Sequence, residues 1–185
     1  MSSQVPEEWK SEVSDILFDS ETIQTRIREL GKQLSCDYRN RKPVLLGVLT
    51  GSFVFLADLI RNMTCDLEIR FMRAVSYEGT ESTGTVTIEG LELLNIQSRD
   101  VLLVEDIVDT GLTLKWICEK LEKLQPKSLK ICTFLSKKTK RRKTDVPQVD
   151  YVGFECEDQF VVGYGFDCDQ RLRQLNFVGI YNTNK

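Results

Sequence analysis

The sequence predicts an α/β domain: a largely parallel sheet with helices on both faces. Two observations predict it. Short apolar runs such as PVLLGVL (43–49) and VLLV (101–104) stop at small or acidic residues. Each run is followed, after a brief turn, by apolar residues at helical spacing. Strands that alternate with helices in this way need right-handed crossovers, and those lay neighbouring strands parallel.

The elements follow in order. After ILF (16–18), Asp19 and Ser20 supply an N-cap, and Ile23, Ile27, Leu30 and Leu34 then line one helical face. The run 43–49 is a strand; it meets Gly51 and Ser52 before Phe53, Leu56, Ala57, Ile60 and Met63 repeat with helical period. LEIRFMRAV (67–75) alternates as a strand does. SYEGTESTG (76–84) is small, polar and glycine-rich, so a loop is expected there. TVTI and LELL, on either side of Gly90, read as the two arms of a hairpin. Val101 to Val104 form a buried strand, and Leu114, Ile117, Cys118 and Leu121 mark the inner face of the helix after it. SLKICTFL (128–135), YVGF (151–154), FVVG (160–163) and FVGIY (177–181) supply further strands.

Composition bounds the function. The 185 residues fit one domain, 1–185, and a chain of this length buries roughly 70% of the surface its unfolded form exposes. With 41% hydrophobic and 29% charged residues it is a globular chain. A formal charge of −3 gives no general attraction to nucleic acid or to an anionic membrane, and neither is expected as a partner. The six cysteines form no CxxC pair, the amino terminus does not read as an export signal, and the ending YNTNK is no peroxisomal address, so a cytoplasmic location with reduced thiols is expected. Histidine is absent. Any proton transfer therefore falls to Asp, Glu, Lys, Tyr or Cys.

The chemistry concentrates in VLLVEDIVDTGLTL (101–114). In a parallel sheet, ligands sit beyond the carboxyl ends of the strands, which is where Glu105 and Asp106 fall. Two adjacent carboxylates suit a magnesium ion or the paired hydroxyls of a vicinal diol. The following DTGLT can wrap a phosphate in backbone N–H groups and in the hydroxyls of Thr110 and Thr113, with Gly111 permitting close approach. Asp and Thr before a helix also serve simply as caps. Neither GxGxxG nor GK[ST] occurs, which sets aside dinucleotide-binding and Walker loops.

This stretch resembles the phosphoribosyl-pyrophosphate signature of type I phosphoribosyltransferases. LTGSFVFLADL, SYEGTESTG, FLSKK and FVVGYGFDCDQRLRQL resemble, in the same order, the hypoxanthine-guanine members of that family. The resemblance implies the type I fold, with a core of about 36–150 and a small hood subdomain built from about 1–35 and 151–185. It also implies transfer of a 5-phosphoribosyl group from phosphoribosyl pyrophosphate to a 6-oxopurine, with magnesium as cofactor, in a homodimer or homotetramer.

Carried over by resemblance, Glu105 and Asp106 hold the ribose hydroxyls and magnesium, and Asp109, Thr110, Gly111, Leu112 and Thr113 cradle the 5-phosphate. Asp109 is also the family's general base toward purine N7. Lys137 matches the lysine that donates to the 6-oxygen, Phe160 the aromatic that stacks on the base, and Val161 the residue whose backbone meets the purine edge. Asp167 corresponds to a ligand of a second magnesium and Arg173 to a pyrophosphate-binding arginine. Ser76 and Tyr77 match the closing loop. Thr50 and Gly51 match the pyrophosphate loop, where the family often has a basic residue at position 50 and a cis peptide before it. A regulator binding RNA through KKTKRRK (137–143) is the alternative of another class, and a uracil or orotate phosphoribosyltransferase the alternative within the family.

Overall fold

The computed structural model describes residues 4–76, 86–140 and 144–183, with backbone alone at 75, 76, 86, 87 and 92. Its strands are β1 (Val13–Phe18), β2 (Val44–Leu49), β3 (Glu68–Ser76), β4 (Val86–Glu89), β5 (Asp100–Val108), β6 (Ser128–Lys138), β7 (Tyr151–Glu157), β8 (Val161–Val162) and β9 (Val178–Tyr181). The helices are α1 (Ser20–Asp37), α2 (Phe53–Arg61) and α3 (Leu112–Glu122).

Six strands form one sheet in the order β4-β3-β2-β5-β6-β7. All its pairings are parallel except that of β4 with β3. The strands are apolar on both faces because both faces are covered. Leu45, Leu102, Val104 and Phe134 pack with Ile23, Ile27, Leu30 and Leu34 of α1 and Phe55, Leu56 and Leu59 of α2. Val44, Leu46, Val101 and Leu103, their alternate neighbours, pack with Leu114, Ile117, Cys118 and Leu121 of α3. The two-residue period of a strand thus divides one apolar run between two cores.

The chain leaves β2 for β3 on one side, while β5 pairs with β2 on the other side and leads on to β6 and β7. The strand order therefore reverses between β2 and β5, and the crevice for a ligand opens at the carboxyl ends of these two strands.

A smaller antiparallel sheet, β1-β9-β8, has its own core of Val13, Val162, Leu172, Leu175 and Phe177. The division expected near residues 35 and 151 is not where the two sheets part. Helix α1 packs with α2, and its Arg26 donates to the carbonyls of Val152 and Gly153 in β7 at 2.8 Å each. Strand β7 is itself the edge of the larger sheet, so the smaller sheet takes its strands from before α1 and after β7.

The expected hairpin around Gly90 does not form. β4 pairs with β3, and Leu91–Leu93 is a single 3-10 turn entered through Gly90 at φ 90°. Leu94 and Ile96 beyond it are buried, whereas Leu93 is exposed, so LELL is a connection whose leucines divide between core and solvent. Asp19 caps α1 as expected, its carboxylate accepting from the Thr22 amide at 2.8 Å. Among the described residues, no helix is long and apolar enough to cross a membrane.

Candidate active site

A cavity of about 310 Å³ opens at the carboxyl ends of β2 and β5. Thr50 and Gly51 from the turn after β2, Glu105 and Asp106 from β5, Thr113 from the first turn of α3, and Asp167 and Arg173 from the segment before β9 all line it. These residues lie up to 123 positions apart in sequence (173 − 50), and the reversal of strand order brings them to one place. The peptide between Leu49 and Thr50 is cis, as the resemblance implies.

Glu105 is buried although charged residues rarely are, and burial pushes its carboxyl well above the usual value, with the adjacent Asp106 adding repulsion. Burial likewise raises Asp106, to about 6, against the Ile107 amide that donates to Asp106 Oδ1 at 2.8 Å and the nearby positive Arg173. The pair is a site of concentrated negative potential that a bound cation would relieve. Among the described residues, no three His, Cys, Asp or Glu side chains gather to hold a metal by themselves. Two carboxylates are nevertheless the donor set magnesium uses when substrate phosphates complete its shell.

Gly51 fits this arrangement for a steric reason. A Cβ there would lie 1.6 Å from Asp106 Oδ2, so the carboxylate occupies the space a side chain would need. Arg173 is held across the cavity: Nη1 donates to the Gly165 carbonyl at 2.7 Å, and Nη2 lies 2.7 Å from Asp167 Oδ1.

The turn after β5 leads into α3 through Gly111, at φ 81°, a conformation few other residues adopt without cost. The Thr110 hydroxyl accepts from the Leu112 amide at 3.4 Å, and Leu112 is exposed. Beyond the turn, Lys137 of β6 is largely buried, its Nζ 3.9 Å from Asp109 Oδ2. Lys137 also borders a separate hollow with Ser136, Lys138, Thr139, Lys140 and Glu155.

Val161 is buried and pairs with Ile180 in the smaller sheet. Phe160 beside it is 47% exposed, with its ring 5.4 Å from that of Tyr181. Ser76 ends β3, where its backbone pairs with Val86. Tyr77 lies outside the described residues, as do Arg141, Arg142 and Lys143 of the basic run.

Some residues around the site carry no sequence signal. Asp58 sits within the helical pattern of α2, and its carboxylate accepts from Gln24 at 2.7 Å and from the Tyr164 hydroxyl at 2.8 Å. The only hint of the second contact is an aromatic residue flanked by Gly163 and Gly165.

An acid pair near the carboxyl end of a strand at a topological switch point, followed by a glycine turn into a helix, is the frame of a phosphoribosyltransferase. A family model described as the phosphoribosyl transferase domain matches residues 13–170. The chain is 42% identical over 165 residues to the hypoxanthine-guanine-xanthine phosphoribosyltransferase of Tritrichomonas foetus, covering 89% of this chain and 90% of that one. It is 41% identical over 172 residues to the hypoxanthine-guanine phosphoribosyltransferase of Bacillus subtilis, covering 92% and 94%. A solved hypoxanthine phosphoribosyltransferase from Staphylococcus aureus superposes with a TM-score of 0.87 at 40% identity, covering 97% of each chain. The chain belongs to the phosphoribosyl transferase family, in its hypoxanthine-guanine branch.

Proposed function

We propose that this protein transfers the 5-phosphoribosyl group from phosphoribosyl pyrophosphate to hypoxanthine or guanine, with xanthine a further candidate, giving the nucleotide and pyrophosphate. The observation that carries this reading is the shared cavity of Glu105, Asp106, Thr50, Gly51 and Arg173, with Asp109 and Lys137 together on the adjoining turn and strand.

In this mechanism Glu105 and Asp106 accept from the two ribose hydroxyls. The amides from Asp109 to Thr113, with the hydroxyls of Thr110 and Thr113, hold the 5-phosphate at the start of α3. Arg173 and the Thr50–Gly51 backbone take the pyrophosphate, and Ser76 and Tyr77 cover the reacting centre. Magnesium, when bound, would be held by Glu105 and Asp106, with Asp167 as a ligand of a second ion, and would neutralise charge on the departing pyrophosphate.

Phe160 stacks on the purine, the Val161 backbone meets its edge, and Lys137 donates to its 6-oxygen. Purine N9 bonds to ribose C1′ as the bond from C1′ to the pyrophosphate oxygen breaks. Asp109 takes the proton from N7, which a neutral purine must lose, and the charge that Lys137 faces grows in the same step.

Six free cysteines support a reducing, cytoplasmic setting. Phe53, Ile69 and Phe71 are each about 40% exposed or more; Phe53 opens α2 beside the Thr50 loop, and Ile69 and Phe71 alternate on β3. A second copy of this chain, in a homodimer or homotetramer, is the proposed cover for them.

The test is a magnesium-dependent assay with hypoxanthine, guanine, xanthine, adenine and uracil run in parallel. Turnover confined to the oxopurines supports the roles given to Lys137 and Phe160, and turnover with uracil alone defeats them.

A further inference from the structure

The segment from Gly163 to Arg173 has an unusual backbone. Tyr164, Asp169, Gln170 and Leu172 all have positive φ, between 50° and 73°, and Gly163 and Gly165 add 92° and 102°. For an aromatic residue such as Tyr164 this is costly, and it persists only where surroundings over-determine it.

Three contacts do so. The Tyr164 amide donates to the Leu175 carbonyl at 2.8 Å, its ring lies 4.7 Å from that of Phe134, and its hydroxyl donates to Asp58 at 2.8 Å. Asp58 is fixed in turn by Gln24 of α1. Tyr164 therefore bolts the segment to the helix that begins directly after the Thr50–Gly51 loop.

The next residue carries that constraint into the cavity. Gly165 lies so close to the loop that a Cβ would come within 2.3 Å of the Gly51 carbonyl oxygen. Its own carbonyl accepts from Arg173 Nη1, and its amide donates to the Arg173 carbonyl at 3.0 Å. Asp167, two residues on, pairs with the same guanidinium.

The geometry points to Asp58 and Tyr164 as positioning residues for the pyrophosphate half of the site, setting through Gly165 the gap between the Thr50–Gly51 loop and Arg173. This rests on the function proposed above and adds a separation within it. Lys137 pairs with Asp109 and the Phe160 ring lies against Tyr181, and the Tyr164 ring keeps its place on Phe134 of β6 when only its hydroxyl is removed, so losing that contact affects one substrate and spares the other.

The test is steady-state kinetics of Tyr164→Phe, which keeps the buried ring, with each substrate varied in turn and the melting temperature measured alongside. Loss of a hydrogen bond to a carboxylate raises KM for phosphoribosyl pyrophosphate about tenfold and leaves KM for hypoxanthine within about twofold. Asp58→Ala reproduces the effect, Asp58→Asn, which retains an acceptor, largely restores the parent value, and combining Tyr164→Phe with Asp58→Ala adds little. Equal rises in both KM values, or no rise at all, overturn the assignment while the function stands. A parent enzyme inactive with every base overturns both.

Discussion

The Lys137 ammonium stands 3.9 Å from the Asp109 carboxylate, bringing the end of β6 against the turn that follows β5. The two charges that the proposed reaction needs on the purine are thus neighbours before any base arrives. Replacing Asp109 by Asn keeps the shape and removes the proton acceptor. We expect turnover to fall by about 10² to 10⁴, with KM for phosphoribosyl pyrophosphate changed by no more than about twofold. Full turnover with hypoxanthine in that variant would show that the proton goes elsewhere.

Gly51→Ala addresses the other end of the cavity. The new methyl would claim the position of Asp106 Oδ2, while the backbone at 51 is outside the left-handed region and accepts alanine. The carboxylate must swing aside, and we expect affinity for magnesium phosphoribosyl pyrophosphate to drop by about 10- to 100-fold. Calorimetric titration of the substrate complex, with a thermal melt as control, would reveal it; unchanged affinity would mean Asp106 is not a ligand.

Phe134 joins the two parts of the molecule. Fully buried on β6, its ring lies 5.5 Å from Phe55, 5.4 Å from Phe154 and 5.9 Å from Phe166. Phe134→Ala leaves a cavity where these rings meet and should cost about 3–5 kcal/mol. In urea the midpoint should fall accordingly, and a shift below about 1 kcal/mol would mean that neighbouring rings refill the space.

Glu68, at the start of β3, gathers three cations: Arg99 at 3.1 Å, Arg70 at 3.7 Å and Lys42 at 4.0 Å. The Arg99 hydrogen bond is the main cause that holds its carboxyl below the ordinary 4.5. Since the unfolded chain takes up this proton first, the pairing stabilises the protein above pH 4.5 and is lost as pH falls through the lower, folded value. Melting temperatures from pH 3 to 6 should therefore slope less steeply in Glu68→Gln, and identical slopes would count against the pairing.

The site was legible where its parts are consecutive in the chain. An apolar strand, an acid pair and a glycine turn fall within fourteen residues, 101–114, and local chemistry alone suggests diol and phosphate. Strand β1 carries little local signal, because VSDILF alternates weakly and its partner β9, which pairs Val13 with Tyr181, is far away in sequence. LELL resembles a hairpin arm in sequence because four residues cannot distinguish such an arm from a turn whose leucines divide between solvent and core. The contact of Asp58 with Tyr164 was hidden for a third reason: it depends on a backbone conformation that no pattern of side chains announces.

The pairing of β1 with β9 also orders events during synthesis. The parallel pairs of the larger sheet link nearby segments, Asp100 with Ser128 for example, and can assemble while translation continues. The smaller sheet must wait for Val178–Tyr181 to leave the ribosome. A nascent chain would therefore form the acid pair of β5 before Val161, which is proposed to meet the purine, took its place beside β9.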